Sequence, residues 1–192
     1  MMGREFELKY GANPAQQVAI AAKFGEFETI AMATTYYDTP DGALSARHIT
    51  LRLRMENGTA VCTVKTPCPD GGRGEWELPC ENITDAIPLL CKLGAPAELS
   101  LWTANGVVSI CGARFTRRAK QIQLADCTVE LALDEGILTG AGKEIPLCEI
   151  EVEFKSGSEA AAVVFANVLA AEFDLKPENK SKFRRARELA EK

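Results

Sequence analysis

The stretch Glu5-Phe6-Glu7-Leu8-Lys9 alternates charged and apolar side chains at the period of a β-strand. Glu5, Glu7 and Lys9 share one face; Phe6, Leu8 and Tyr10 take the other. Same-face neighbours on a strand are about 7 Å apart. Carboxylates that close repel each other unless a cation or a hydrogen bond offsets the repulsion. The pattern returns far down the chain, where Glu149, Glu151 and Glu153 alternate with Cys148, Ile150, Val152 and Phe154. A chain that twice commits a strand face to charge has two options. It folds an open sheet with one wet face, or it turns that face inward around a ligand of matching charge.

The bulk properties narrow the classes. At 192 residues the chain suits one domain, expected over 1–192, with no repeat or linker that would divide it. The net charge of −5 means that a phosphate-rich partner would be held by a local basic cluster, not by the overall field. No apolar run approaches the ~18 residues of a membrane span, and the N-terminus lacks the apolar core of a secretory signal. Seven cysteines occur without a C-x-x-C pair, which argues against a zinc site; the odd count argues against a disulfide framework. They read as buried thiols of a cytoplasmic protein. The single histidine, His48, builds neither a histidine metal site nor a Ser/His/Asp or Cys/His nucleophile, and it reads as structural.

Local signals then place the elements. Asn13-Pro14 starts a helix over 15–24, closed by Gly25. A strand follows over 28–39, ended by the turn residues of 38–42, with a short helix over 43–47. Residues 49–55 and 59–65 form a hairpin around Asn57-Gly58. A glycine-rich loop over 67–74 leads to a strand over 75–78. Helical segments are expected over 84–94, with Asn82 or Thr84 as N-cap, and over 96–103. Strands follow over 107–124, 126–135 and 148–154, with a turn containing Gly136, Gly140 and Gly142 before the last of them. A helix over 159–173 and a basic helix over 180–192 complete the chain. Six to eight strands with helices at both ends and in the middle predict an α+β domain.

Summed over these strands, one face carries Glu5, Glu7, Glu75, Glu77, Glu130, Asp134, Glu149, Glu151 and Glu153. It also carries Lys9, Arg52, Arg54, Lys65 and an arginine near 117. On a flat sheet this is a solvated surface. In a barrel with its apolar face outward under the helices, these charges line the interior, and eight strands leave room for one small ligand. A polyphosphate with divalent metal suits such a lining. Arginine and lysine hold phosphate oxygens, and carboxylates hold Mg²⁺ or Mn²⁺.

The ordered set Glu5-Phe6-Glu7-Leu8-Lys9, Tyr36-Tyr37-Asp38-Thr39-Pro40-Asp41, Leu51-Arg52-Leu53-Arg54, Thr63-Val64-Lys65, Glu130 to Asp134 and Cys148 to Glu153, ending in Ser181-Lys182, resembles the CYTH domain of the triphosphate tunnel metalloenzyme superfamily. The resemblance runs over essentially the whole chain and is nearest to the N-terminal domain of bacterial inorganic triphosphatases. It implies a closed eight-stranded antiparallel β-barrel, a triphosphate tunnel with helices packed on the outside. It further implies hydrolysis of a small-molecule triphosphate with Mg²⁺ or Mn²⁺, two ions being expected, and no nucleic-acid or membrane partner; a homodimer stays open. Carried over, Lys9, Arg52, Arg54, Lys65, Arg117 and Lys182 would bind substrate, with Arg117 favoured over Arg118. Glu5, Glu7, Glu130, Asp134, Glu149 and Glu151 would bind metal. Lys9, Arg52, Arg54 and Glu7 would be catalytic. Glu75 is favoured slightly over Glu77, and the roles of Glu75, Glu77 and Glu153 are left unassigned. The alternatives are a class IV adenylate cyclase, whose His-Phe element before the first strand motif is missing here, a thiamine triphosphatase, and a non-catalytic polyphosphate or nucleotide binder.

Overall fold

The computed structural model describes residues 3–4, 6–68 and 73–191. The chain runs β1 (Gly3–Arg4), β2 (Glu7–Gly11), α1 (Pro14–Phe24), β3 (Glu28–Asp38), α2 (Ala43–Ala46), β4 (Thr50–Glu56), β5 (Thr59–Pro67) and β6 (Arg73–Pro79). It continues with α3 (Ile83–Lys92), α4 (Glu98–Trp102), β7 (Val108–Gln123), β8 (Cys127–Gly140), β9 (Lys143–Gly157), α5 (Glu159–Glu172), β10 (Lys176–Pro177) and α6 (Lys182–Ala190). All the strands join one antiparallel sheet in the order β1-β6-β5-β4-β3-β7-β8-β9-β2-β10.

The expected closed eight-stranded barrel is corrected in two respects. The sheet has ten described strands, two of them only two residues long, and among the described residues its ladder is not closed by hydrogen bonds. The reason lies at the N-terminus. Gly3 and Arg4 pair with β6 at one side of the sheet, whereas Glu7 to Gly11 pair with β9 at the other. The N-terminal strands β1 and β2 thus lie at one end of the strand order and next to the other, where β10 pairs outside β2.

Two apolar clusters cover the outer face. Ile20 of α1 and Ala162, Ala166 and Leu169 of α5 pack on Tyr10, Leu131, Leu133, Ile150 and Val152. Leu44 of α2, Ile87 and Leu90 of α3 and Leu99 of α4 pack on Leu51, Cys62, Val64 and Trp76. Each fully buried leucine or isoleucine contributes about 1.5–3 kcal/mol. The sheet residues in these clusters alternate with the charged ones, so burying them aims the charges at the opposite, concave face.

Not every helix lies outside, contrary to expectation. Phe183, Ala186 and Leu189 of α6 pack against Met32, Tyr36, Cys111, Ala113, Phe115, Leu138 and Leu147. Ala113 and Phe115 share a strand face with Arg117, so α6 lies on the concave side. Gly140 permits the approach: a Cβ there would collide with the Ala186 carbonyl and stand 3.1 Å from the Ala190 nitrogen.

The turn chemistry explains the remaining register. Asn57 and Gly58 take φ of 48° and 89° between β4 and β5. The β8–β9 turn falls on Ala141 and Gly142, with φ of 48° and 75°, instead of starting at Gly136. Gly136 sits inside β8, where a Cβ would collide with the Arg114 carbonyl. Of the glycine-rich loop, residues 69–72 lie outside the described residues. All seven cysteines are free thiols. No helix among the described residues is long and apolar enough to cross a membrane.

The Tyr36–Asp41 segment has a structural task. The buried Asp38 carboxylate accepts from the backbone N–H of Thr39 at 2.7 Å, Leu44 at 2.9 Å and Ser45 at 3.2 Å, fixing α2 to the end of β3. Asp38→Ala is expected to cost about 1–3 kcal/mol by leaving buried donors unpaired, with a smaller loss for Asp38→Asn, measured by urea denaturation. An alanine variant within 0.3 kcal/mol of wild type would contradict this role.

Candidate functional site: a concave face lined by both signs of charge

The concave face encloses a cavity of about 390 Å³ to which β2 to β9 and α6 all contribute. Glu7, Lys9, Arg52, Arg54, Lys65, Arg117, Glu130, Glu151 and Lys182 of the expected site line it. Glu75 and Glu77, left without a role by the sequence, line it too, as do Glu153 and Lys155. Glu5 lies outside the described residues. Asp134 and Glu149 are fully buried just beneath the lining. Arg118 points the other way and donates to Gln17 of α1 at 3.1 Å. Gln17 in turn donates to the Asp134 and Glu149 carbonyls at 2.9 and 3.2 Å, bracing β8 and β9 from behind.

Register sorts the carboxylates into rows. Glu153 lies directly between Glu7 and Glu130 across β2, β9 and β8. Two residues along, Glu151 lies between Lys9 and Ala132; two more, Glu149 lies between Gly11 and Asp134, with Arg117 beyond. The first row is the more open, and Lys155 reaches Glu153 at 2.9 Å and Glu130 at 3.7 Å.

The deeper rows form a buried ion cluster. One carboxylate oxygen from each of Asp134, Glu149 and Glu151 lies within 4.8 Å of the others, a spacing that can hold a metal ion. The protein's own cations occupy it. Lys182 Nζ contacts Asp134 at 2.7 Å, Glu151 at 2.8 Å and Glu149. Arg117 holds Asp134 through Nε at 2.8 Å and Nη2 at 2.7 Å, and also reaches Glu151. Arg185 pairs with Glu149. Burial pushes Glu151 up, but Lys182 and Arg117 override it and hold the carboxyl well below its ordinary value. For Glu149, burial dominates and the carboxyl is raised despite Lys182 and Arg185. Burial acts to lower Lys182, yet Glu151, Asp134 and Glu149 raise it above the ordinary lysine value.

The opposite wall is basic. Arg52 and Lys65 share Glu75 at 3.5 and 3.3 Å, and Arg54 pairs with Glu56. The Nε atoms of Arg52 and Arg54 are buried without a hydrogen-bond partner. Desolvation, followed by the charge of Arg52, lowers the Arg54 guanidinium from its ordinary value. Two like charges on one strand face with unpaired donors leave this wall short of anionic oxygen. On the other side, Lys9 bonds Glu7 at 2.9 Å; burial lowers its ammonium, but Glu7 overrides that and raises it. None of the residues lining this cavity is a cysteine, and burial pushes the Cys62 and Cys111 thiols up to about 12.

Sequence reasoning missed Arg185 and Lys155. Both carried a signal. Arg185 stands three residues after Lys182, on the same helix face. Lys155 continues the inward alternation that begins at Glu149.

The profile of the CYTH domain family matches residues 3–186. An inorganic triphosphatase of Haemophilus influenzae is 28% identical over 201 residues, covering 100% of this chain and 56% of the relative. The chain thus spans about half the length of that curated relative. Among solved structures, a protein of Pyrococcus horikoshii is 23% identical with a TM-score of 0.65, covering 96% of this chain and 99% of its own. A Hippeastrum protein described as having a dominant triphosphatase activity is 18% identical with a TM-score of 0.65, covering 97% and 96%. At these identities the structures establish likeness of fold.

The buried cluster predicts a pH signature. With Lys182 in place, Glu151 titrates below the unfolded value of about 4.3, so its stabilisation is present above that pH and lost as pH falls. Lys182→Met takes from Glu151 and Glu149 the cation that most opposes burial; burial then acts to raise the Glu151 carboxyl and raises that of Glu149 further. The variant should lose about 3–5 kcal/mol at pH 7, and the deficit should shrink toward pH 5, measured by urea denaturation at both pH values. A deficit independent of pH would contradict the assignment.

Proposed function

Because the chain belongs to the CYTH domain family, we propose that it is a divalent-metal-dependent triphosphatase whose minimal substrate is inorganic triphosphate. The observation that carries this reading is the cavity wall where Arg52, Arg54 and Lys65 converge and two buried guanidinium Nε donors lack an acceptor. Phosphate oxygens supply the missing acceptors in a fork geometry that suits guanidinium. The inorganic triphosphatase of Haemophilus influenzae supports the choice of substrate.

The donor set also fits a hard cation. The carboxylates facing the cavity offer only oxygen, the preference of Mg²⁺ and Mn²⁺. The row Glu7, Glu153 and Glu130, together with Glu151, would hold one ion. Glu5 would contribute to a second, with Asp134 and Glu149 supporting it from beneath, where Arg117, Arg185 and Lys182 pair with them; Lys182 also lines the cavity and would face the phosphate chain there. When bound, the metal would neutralise phosphate oxygens and acidify a coordinated water. The chain's own residues do the rest. Arg52 and Arg54 orient the phosphate chain and stabilise charge on the transferring group. Lys9 and Lys65 hold its flanks from facing walls, and Arg117 keeps Glu151 and Asp134 in place through its hydrogen bonds.

The free thiols fit a reducing compartment, and we place the protein in the cytoplasm.

The assay is phosphate release from inorganic triphosphate with Mg²⁺ or Mn²⁺, with ATP run alongside to separate hydrolysis from cyclisation. Activity should vanish with chelator and fall about 100-fold or more in Arg52→Ala, by analogy with other lost charge-stabilising donors. Glu7→Ala should raise the metal concentration needed for half-maximal rate. Metal-loaded protein that releases no phosphate from any triphosphate would refute the reading.

A further inference from the structure

The ladder between β8 and β9 is regular except near one end. Val129 pairs with Phe154 and Thr128 with Ser156, so Lys155 is an extra residue that β8 does not oppose. A bulge of this kind leaves one residue outside the ladder and re-aims the side chains beside it. Here the bulged side chain lines the charged cavity. Its Nζ reaches Glu153 at 2.9 Å and Glu130 at 3.7 Å.

Lys155 differs from the other lysines that face the acidic wall. Its side chain is 32% exposed, against 16% for Lys9 and 10% for Lys182. Lys182 is locked by contacts with Asp134, Glu149 and Glu151. Lys155 contacts two carboxylates at the edge of the cavity, and its long stem lets the ammonium turn into water while the methylenes stay on the sheet. The outer row thus holds two cations of the chain: Lys9 on Glu7 at 2.9 Å, and Lys155 on Glu153 and Glu130. A divalent ion on that row would meet the same carboxylate oxygens. An ammonium and a divalent ion a few ångströms apart in a partly buried site repel strongly, so both cannot sit on Glu153 and Glu130.

We propose that Lys155 is a resident counter-ion of the outer carboxylate row, displaced by an incoming divalent cation, and that it sets the metal concentration at which the row fills. This rests on the metal-dependent reading above and adds a regulation of that same site. Without metal, the ammonium offsets the repulsion between Glu153 and Glu130 and keeps the row ordered. With metal, the ion takes those carboxylates and the ammonium turns out to water. In this role Lys155 acts through Glu130 and Glu153 and not on the substrate.

The test is a titration of the full chain with Mn²⁺ in the absence of any triphosphate, with free Mn²⁺ read by electron paramagnetic resonance. Lys155→Met should lower the Kd for Mn²⁺ about 10-fold, because a competing charge is gone. Lys155→Gln should do the same, and it serves if the methionine variant does not fold. Lys155→Arg, which keeps the charge, should stay within about 3-fold of wild type. Lys143→Met, an exposed position at the start of β9, should stay within about 2-fold. In wild type, acetylation of the Lys155 amine by acetic anhydride, read by peptide mass spectrometry, should speed up about 3-fold or more when Mn²⁺ is added. An unchanged or weaker Mn²⁺ affinity in both neutral variants, or an acetylation rate that bound Mn²⁺ does not alter, would overturn the proposal while leaving the metal site standing. Failure of wild type to bind Mn²⁺ at millimolar concentration would instead remove the reading beneath it.

Discussion

Three carboxylates almost wholly removed from water, Asp134, Glu149 and Glu151, can stay together only because Lys182, Arg117 and Arg185 meet them. Taking either sign out of water alone costs several kcal/mol per ion. The cluster therefore ties distant parts of the chain to one another. Its anions come from β8 and β9, one cation from β7 and two from α6. The last helix is thereby bound to the concave face by charge at its first turns, and by Phe183, Ala186 and Leu189 along its apolar side.

The same arrangement divides the concave face by depth. At the bottom, carboxylates are compensated by cations of the chain. Higher up, the row Glu7, Glu153 and Glu130 is more open, and Arg52 and Arg54 keep unpaired Nε donors on the far wall. The deep part reads as a rigid electrostatic floor, and the open part as the place where a ligand's charges complete the balance. Rigidity behind the floor comes from Gln17, which satisfies carbonyls of β8 and β9 from the helical side.

Much of this was legible in alternation alone. The period of two placed Glu7, Lys9, Arg52, Arg54, Lys65, Glu130, Asp134, Glu149 and Glu151 on one side of the sheet, because their apolar neighbours had to face the helices. The hairpin at Asn57-Gly58 followed from turn chemistry. Other features depend on contacts between distant segments. Gly136 looks like a turn residue, but it is a strand position where the β7 backbone passes too close for a Cβ. The double pairing of the N-terminal segment follows from how the sheet curves, which no local pattern encodes. The basic helix α6 resembles a solvated face in sequence; its Phe183-Ala186-Leu189 stripe finds its partner only once β3, β7 and β8 are assembled.

The central claim is that the concave face is one site in which basic and acidic walls hold opposite parts of a metal–triphosphate complex. The most direct measurement is a crystal structure with Mn²⁺ and a non-hydrolysable triphosphate analogue, the metal located by anomalous scattering. The account predicts phosphate oxygens on Arg52 and Arg54, with manganese on the Glu7–Glu153–Glu130 side of the same cavity. Ligand bound on the outer surface, with the charged cavity holding neither phosphate nor metal, would contradict it.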